Sequence, residues 1–184
     1  MDRSLLDYRP EIAADASPAA RLERQAALSR SDEMEDAAEL LERIHQGQLE
    51  GYLVELLDRA GLPATRPVAP ALSAILGGAA RQLLRPGGGR RTAAAGRVFG
   101  LELEGLSAED QVFEVARHFV RYATRAAELA GRAPGAGTPQ VVAQRAAAAA
   151  APTLAPGLLP WVAGALRPSG FWFRRGRHLI VLNP

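Results

Sequence analysis

A mainly α-helical fold, a small helical bundle with a disordered N-terminal tail and a C-terminal β-hairpin, is what this sequence predicts. Three observations carry the expectation. Apolar residues recur at i, i+3, i+4 and i+7 over a long stretch after Ser107, the spacing of one helix face. Clusters of Pro and Gly divide the chain into pieces of helical length. Two apolar runs flank an Arg/Gly turn at the very end, the signature of paired strands. With 184 residues, one ordinary domain with tails is expected. Hydrophobic residues make up 48%, but much of this is alanine and aromatics are only 5%, so the core should be thin.

Residues 1–30 hold Pro10 and Pro18 and show no sustained apolar face, and they are expected to form the tail, with a transient helix around Ala19 to Leu28. An acidic amphipathic segment is expected next, over 31–61. Ser31 suits an N-cap, and Asp32, Glu33, Glu35 and Asp36 complement a helix dipole behind it. Leu40, Leu41, Ile44, Leu49, Leu53, Val54, Leu56 and Leu57 supply the apolar face of one or two amphipathic helices, weakened at Gly47 and Gly51 and ended by Gly61.

Over 62–91 the chain is punctuated by Pro and Gly, with a linker to residue 69 and a helix from Pro70 to Leu84. Pro86, Gly87, Gly88 and Gly89 then break it. Residues 92–168 should form the helical core. A short helix is expected over Thr92–Leu101, and a strong one from Ser107 to Gly131 with the apolar set Val112, Phe113, Val115, Ala116, Phe119, Val120, Ala123 and Ala127. Another runs from Thr138, with Pro139 at its first position, to Ala151; its face of Val141, Val142, Ala146 and Ala149 allows close helix approach. Pro152, Pro156 and Pro160 interrupt the chain beyond that helix. Residues 169–184 are the hairpin, Phe171-Trp172-Phe173-Arg174-Arg175 returning through Gly176 and Arg177 to His178-Leu179-Ile180-Val181-Leu182. An isolated hairpin is marginal in water, so this one must lean on its own helices or on another molecule.

Composition narrows the function classes. The absence of cysteine excludes disulfides, thiolate metal sites and cysteine nucleophiles. No secretory signal is visible in Met1 to Tyr8, and Val68 to Ala80, the most apolar stretch, falls short of the roughly 20 residues a bilayer requires. A paired insertion would take Arg81, Arg85, Arg90 and Arg91 into lipid at about 3 kcal/mol each. The chain is therefore expected in the cytoplasm, with export only through a specialised system. Its net charge of +2 conceals a polarity: residues 1–60 carry 14 acids and 7 arginines, the remainder 6 acids and 15 arginines, and every basic residue is arginine. That asymmetry implies an acidic partner or self-neutralisation.

Two runs carry a resemblance. Glu102-Leu103-Glu104-Gly105-Leu106-Ser107-Ala108-Glu109-Asp110-Gln111-Val112-Phe113-Glu114-Val115-Ala116-Arg117-His118-Phe119-Val120-Arg121 is one, and Ser169-Gly170-Phe171-Trp172-Phe173-Arg174-Arg175-Gly176-Arg177 is the other. With the layout between them, they resemble a group of uncharacterised bacterial proteins, some of which accompany phage-tail-like contractile injection systems. The resemblance implies association with such an assembly and assigns no catalytic residue.

Candidate chemistry is sparse. His45, His118 and His178 lie in separate elements without metal-ligand spacing, so no metal or cofactor is expected. The acid pairs Glu102/Glu104 and Glu109/Asp110 and the acids of 32–36 are read as helix-start residues rather than an acid–base pair. Gly87–Gly89 before Arg90 and Arg91 lacks the Lys-Ser/Thr and the preceding strand of a phosphate loop. The expected function is a non-enzymatic interaction or assembly protein. Phe171, Trp172, Phe173, Arg174, Arg175 and Arg177 would dock a protein partner or a second copy. The same residues could instead neutralise phosphates and stack bases, which makes nucleic-acid binding the alternative; an enzyme of unknown class stands behind it.

Overall fold

A computed structural model describes residues 18–84, 89–133, 137–158, 171–175 and 178–182; for 18–30 and the last two segments the description is of backbone. The protein is mainly helical. Six α-helices occur in order among these residues: α1 (Pro18–His45), α2 (Leu49–Arg59), α3 (Val68–Leu83), α4 (Gly89–Val98), α5 (Ala108–Arg132) and α6 (Pro139–Leu154), then a 3-10 turn at Pro156–Leu158. The backbone of β1 (Phe171–Arg175) pairs antiparallel with β2 (His178–Leu182), placing Phe171 opposite Leu182 and Arg175 opposite His178.

The first helix begins earlier than Ser31. It starts at Pro18 and passes through Ser31 without a break, because residues 18–30 are rich in Ala, Leu, Arg, Glu and Gln, all strong helix formers, behind a proline tolerated in a first turn. Residues 1–17, the rest of the expected tail, lie outside the described residues. Asp32 to Asp36 therefore sit inside α1 and not at its start.

Three helices stop by one device. After α1, Gly47 takes φ +72°, Gly47 N–H donates to Ile44 O and Gln48 N–H to Arg43 O. The same pair of bonds closes α2 at Gly61 (φ +84°) and α4 at Gly100 (φ +71°). This is the Schellman arrangement, which needs a left-handed residue that glycine supplies without steric cost. Gly47 is thus the break between two helices, where the sequence suggested only a weak middle.

Helix α3 starts at Val68, before Pro70, which occupies its first turn where a missing N–H loses no helix bond. Helix α4 lies a few residues ahead of the expected Thr92–Leu101, beginning at Gly89 and ending at Val98. Helix α5 matches its expected extent. Ser107 Oγ accepts from the Asp110 N–H at 3.1 Å, and Glu109 and Asp110 lie in the first turn. Thr138 Oγ1 accepts from Val141 N–H to cap α6. That helix runs past Pro152 to Leu154, since a proline in the last turn displaces few bonds, and Ala155 N–H donates to Ala151 O to finish it.

A single core forms around α5, which packs against each of the other five helices. Its most extensive partner is α6. The buried face of α6 is Ala143, Ala146, Ala147, Ala150 and Ala151, rotated from the expected face: Ala149 is exposed, and Val141 and Val142 are half-buried. Leu40, Leu53, Leu56, Leu57, Leu72, Leu76 and Phe119 fill the larger spaces. Tyr52 and Tyr122 are also fully buried; their hydroxyls donate to Asp36 O at 2.7 Å and Ala147 O at 3.3 Å, which removes the cost of burying a phenol.

Two glycines make opposite cases. A Cβ on Gly157 would stand 2.7 Å from Val98 Cα, backbone that cannot step aside, whereas one on Gly51, inside α2, would meet nothing within 4 Å. Gly157→Ala is expected to destabilise the fold by about 1–3 kcal/mol and Gly51→Ala to stabilise it by roughly 0.5–1 kcal/mol. Urea unfolding of the two variants checks both signs.

Candidate interaction surfaces

The charge polarity of the chain is partly resolved within the bundle. Arg121 Nε on α5 donates to Glu33 Oε2 on α1 at 2.7 Å, and Arg81 on α3 pairs with Glu50 on α2. Both pairs join the acidic N-terminal part to the basic remainder, the self-neutralisation that the asymmetry implied. Arg121–Glu33 is part-buried, whereas Arg81–Glu50 lies at the surface and contributes at most about 1 kcal/mol. Within the acidic part, Arg59 reaches Asp36 Oδ1 at 2.6 Å and Glu39 Oε2 at 3.8 Å. Burial nevertheless holds the Asp36 carboxyl above its usual range and outweighs the pull of Arg59.

Asp32, Glu35, Asp36, Glu39, Leu56, Arg59, Ala60 and Thr124 line an open cleft of about 350 Å³ between α1, α2 and α5. The acids of 32–36 therefore form ion pairs and a cleft wall, which corrects their expected role at a helix start. Glu102 and Glu104 are likewise not in a first turn; they stand exposed on the loop before α5, on either side of buried Leu103. Glu109 and Asp110 alone keep the helix-start role.

The histidines remain apart. His45 is exposed, with Nδ1 2.6 Å from Leu41 O, and the side chain of His178 lies outside the described residues. His118 is half-buried on α5, its ring centroid 6.2 Å from that of Phe99. Burial first, then Arg121, holds its pKa below the ordinary 6.5, with Arg117 adding to the effect and Glu114 and Glu33 opposing it. Neighbouring Arg117 donates to Glu114 at 2.9 Å through Nη1, while its Nε is buried without a partner among the described residues. No group of three His, Asp or Glu among the described residues is placed to hold a metal ion. No helix among them is long and apolar enough to cross a membrane.

Two further clefts flank α3. One, of about 290 Å³, runs between α2 and α3 past Val54, Leu57, Ala69 and Gly77 beside Arg81 and Glu50; Val54, expected on the apolar face of its helix, is 41% exposed. The other, of about 650 Å³, opens between α3, α4 and the 3-10 turn. Sequence patterning marks neither, because both are gaps lined by residues of more than one element. Of the docking residues expected from the sequence, Phe171, Trp172, Phe173, Arg174 and Arg175 are placed on β1 by their backbone, and their side chains lie outside the described residues, as does Arg177 entirely.

No family model, no curated protein and no solved structure matches this chain.

The depressed pKa of His118 fixes a sign. Its neutral ring is favoured in the folded state, so its contribution to stability is complete above about pH 6.5 and declines as the pH falls through the window below it. Denaturant unfolding at about pH 7.5 and about pH 5 is expected to show a smaller loss of stability in His118→Gln than in the parent chain. An equal loss in both refutes the assignment.

Proposed function

We propose that this chain is a non-enzymatic interaction or assembly protein that docks a protein partner, or a second copy of itself, through its C-terminal hairpin. The observation that carries this reading is the terminal sequence with its backbone pairing. Phe171-Trp172-Phe173 and Leu179-Ile180-Val181-Leu182 are wholly apolar, and among the described residues the sheet has two strands. Each strand of such a pair has one edge of backbone N–H and C=O groups without a ladder partner, a template for strand addition. Trp172 and the guanidinium groups of Arg174, Arg175 and Arg177 are residue types that concentrate binding energy at interfaces.

The helical bundle supplies a scaffold with a core of its own. Its largest buried side chains pack on one another, and the two tyrosine hydroxyls among them are satisfied by backbone carbonyls. The partner class implied by the sequence resemblance is a component of a contractile injection assembly, met in the cytoplasm or after loading into such a device.

The native mass of the purified chain, measured by light scattering with and without residues 169–184, tests self-association; pull-down with a tagged chain tests a foreign partner. Trp172→Ser with Phe173→Ser is expected to abolish association while the helical circular dichroism signal stays intact. Association unchanged by the two substitutions defeats the reading. A salt-dependent shift of a labelled oligonucleotide, lost on replacing Arg174 and Arg175, would transfer the terminus to nucleic-acid binding.

A further inference from the structure

Between Asp58 and Glu102 the sequence carries seven arginines and no acid. The fold brings two of them, Arg81 of α3 and Arg91 of α4, to one cleft of about 650 Å³. That volume falls inside the range of roughly 300–1,000 Å³ typical of sites for small molecules. The polar side chains lining the cleft are Arg81, Gln82 and Arg91, and no carboxylate lines it. Its apolar surface includes Leu83 of α3, Val98 of α4 and Leu158 of the 3-10 turn. The turn sits against α4 because Gly157 has no Cβ; one there would stand 2.7 Å from Val98 Cα.

Arg81 also pairs with Glu50 of α2, which lines the neighbouring α2/α3 cleft, whereas Arg91 takes part in no ion pair among the described residues. A guanidinium is always charged, and its planar fork of donors matches a carboxylate or a phosphate. Two such groups on one cleft repel each other and raise the local concentration of anions. An inorganic anion would answer that charge but leave Leu83, Val98 and Leu158 facing water. A neutral hydrocarbon would cover those residues but strip water from guanidinium groups without replacing its hydrogen bonds. An apolar body that ends in an anionic group meets both demands.

We propose that the cleft between α3, α4 and the 3-10 turn binds a small amphipathic anion, an aliphatic or aromatic body carrying one carboxylate or phosphate group. The anionic head is held by Arg81 and Arg91, and the body covers the apolar surface of Leu83, Val98 and Leu158. The site shares no residue with the hairpin, so it stands or falls separately from the docking role proposed for that terminus.

Dodecanoate, kept below its micelle-forming concentration, is the probe, read by its displacement of the fluorescent apolar anion anilinonaphthalene sulfonate from the full-length chain. Displacement is expected with dodecanoate and not with dodecyltrimethylammonium, which has the same chain and a cationic head. Octanoate is expected to bind more weakly, by about three- to fourfold for each methylene no longer buried. Arg91→Gln removes one charged donor and is expected to weaken dodecanoate binding about tenfold. Ala94 lines the cleft and is exposed; Ala94→Glu is expected to weaken binding more than Ala94→Gln, which adds the same bulk without the charge. Circular dichroism checks that each variant keeps its helices. No displacement by dodecanoate, equal displacement by the cationic surfactant, or an affinity unchanged by both Arg91→Gln and Ala94→Glu would each overturn the proposal. Binding to phosphatidylglycerol vesicles without binding of free dodecanoate would overturn it too, and would assign the arginines to a membrane surface.

Discussion

How closely other helices can approach α5 decides the shape of this molecule. Its buried face alternates large residues, Val115, Phe119, Val120 and Tyr122, with Ala116, Ala123, Ala126, Ala127 and Ala130, and α6 meets it with a buried face made only of alanine. Alanine against alanine lets two helix axes run near the short end of the usual separation of about 8–10 Å. The close contact leaves room on the remaining sides of α5 for α1, α2, α3 and α4. Such packing tolerates little enlargement, because a methyl group facing a methyl group has no rotamer to which it can retreat.

That arrangement also explains where the chain's charges go. With α5 enclosed, its arginines emerge only at the margins of the contact, and there Arg121 meets Glu33 across a sequence separation of 88 residues. Arg117 emerges beside Glu114 but leaves Nε without a partner among the described residues. The acidic early part of the chain thus meets an arginine of α5, and the polarity visible along the sequence is reduced in space.

Legibility in the sequence tracked the physics of each element. Helix α5 was readable because large apolar residues at regular spacing mark a face and Ser107 with Asp110 marks a start. The face of α6 was not, since Ala146 to Ala151 is an unbroken alanine run with no period to read. The start of α1 was misplaced because Ser31 and the acids after it imitate an N-terminus, whereas Asp36 and Glu33 serve Arg59 and Arg121. Tyr52 and Tyr122 escaped the expected core because a phenol is ambiguous until its hydroxyl has an acceptor; Tyr122, three residues after Phe119, was the more readable of the two. The terminal aromatic and arginine residues stood out in sequence alone. The α3/α4 cleft could not, because it is a gap between helices and no residue pattern encodes a gap.

The alanine-rich contact has a consequence for how the protein responds to temperature. Heat capacity rises on unfolding mainly through newly hydrated apolar surface, and an alanine methyl exposes far less of it than a leucine or phenylalanine side chain. A bundle held together to this extent by methyl groups has a modest heat-capacity increment for its length. Its stability therefore traces a broad, shallow curve, changing little between cold and physiological temperatures.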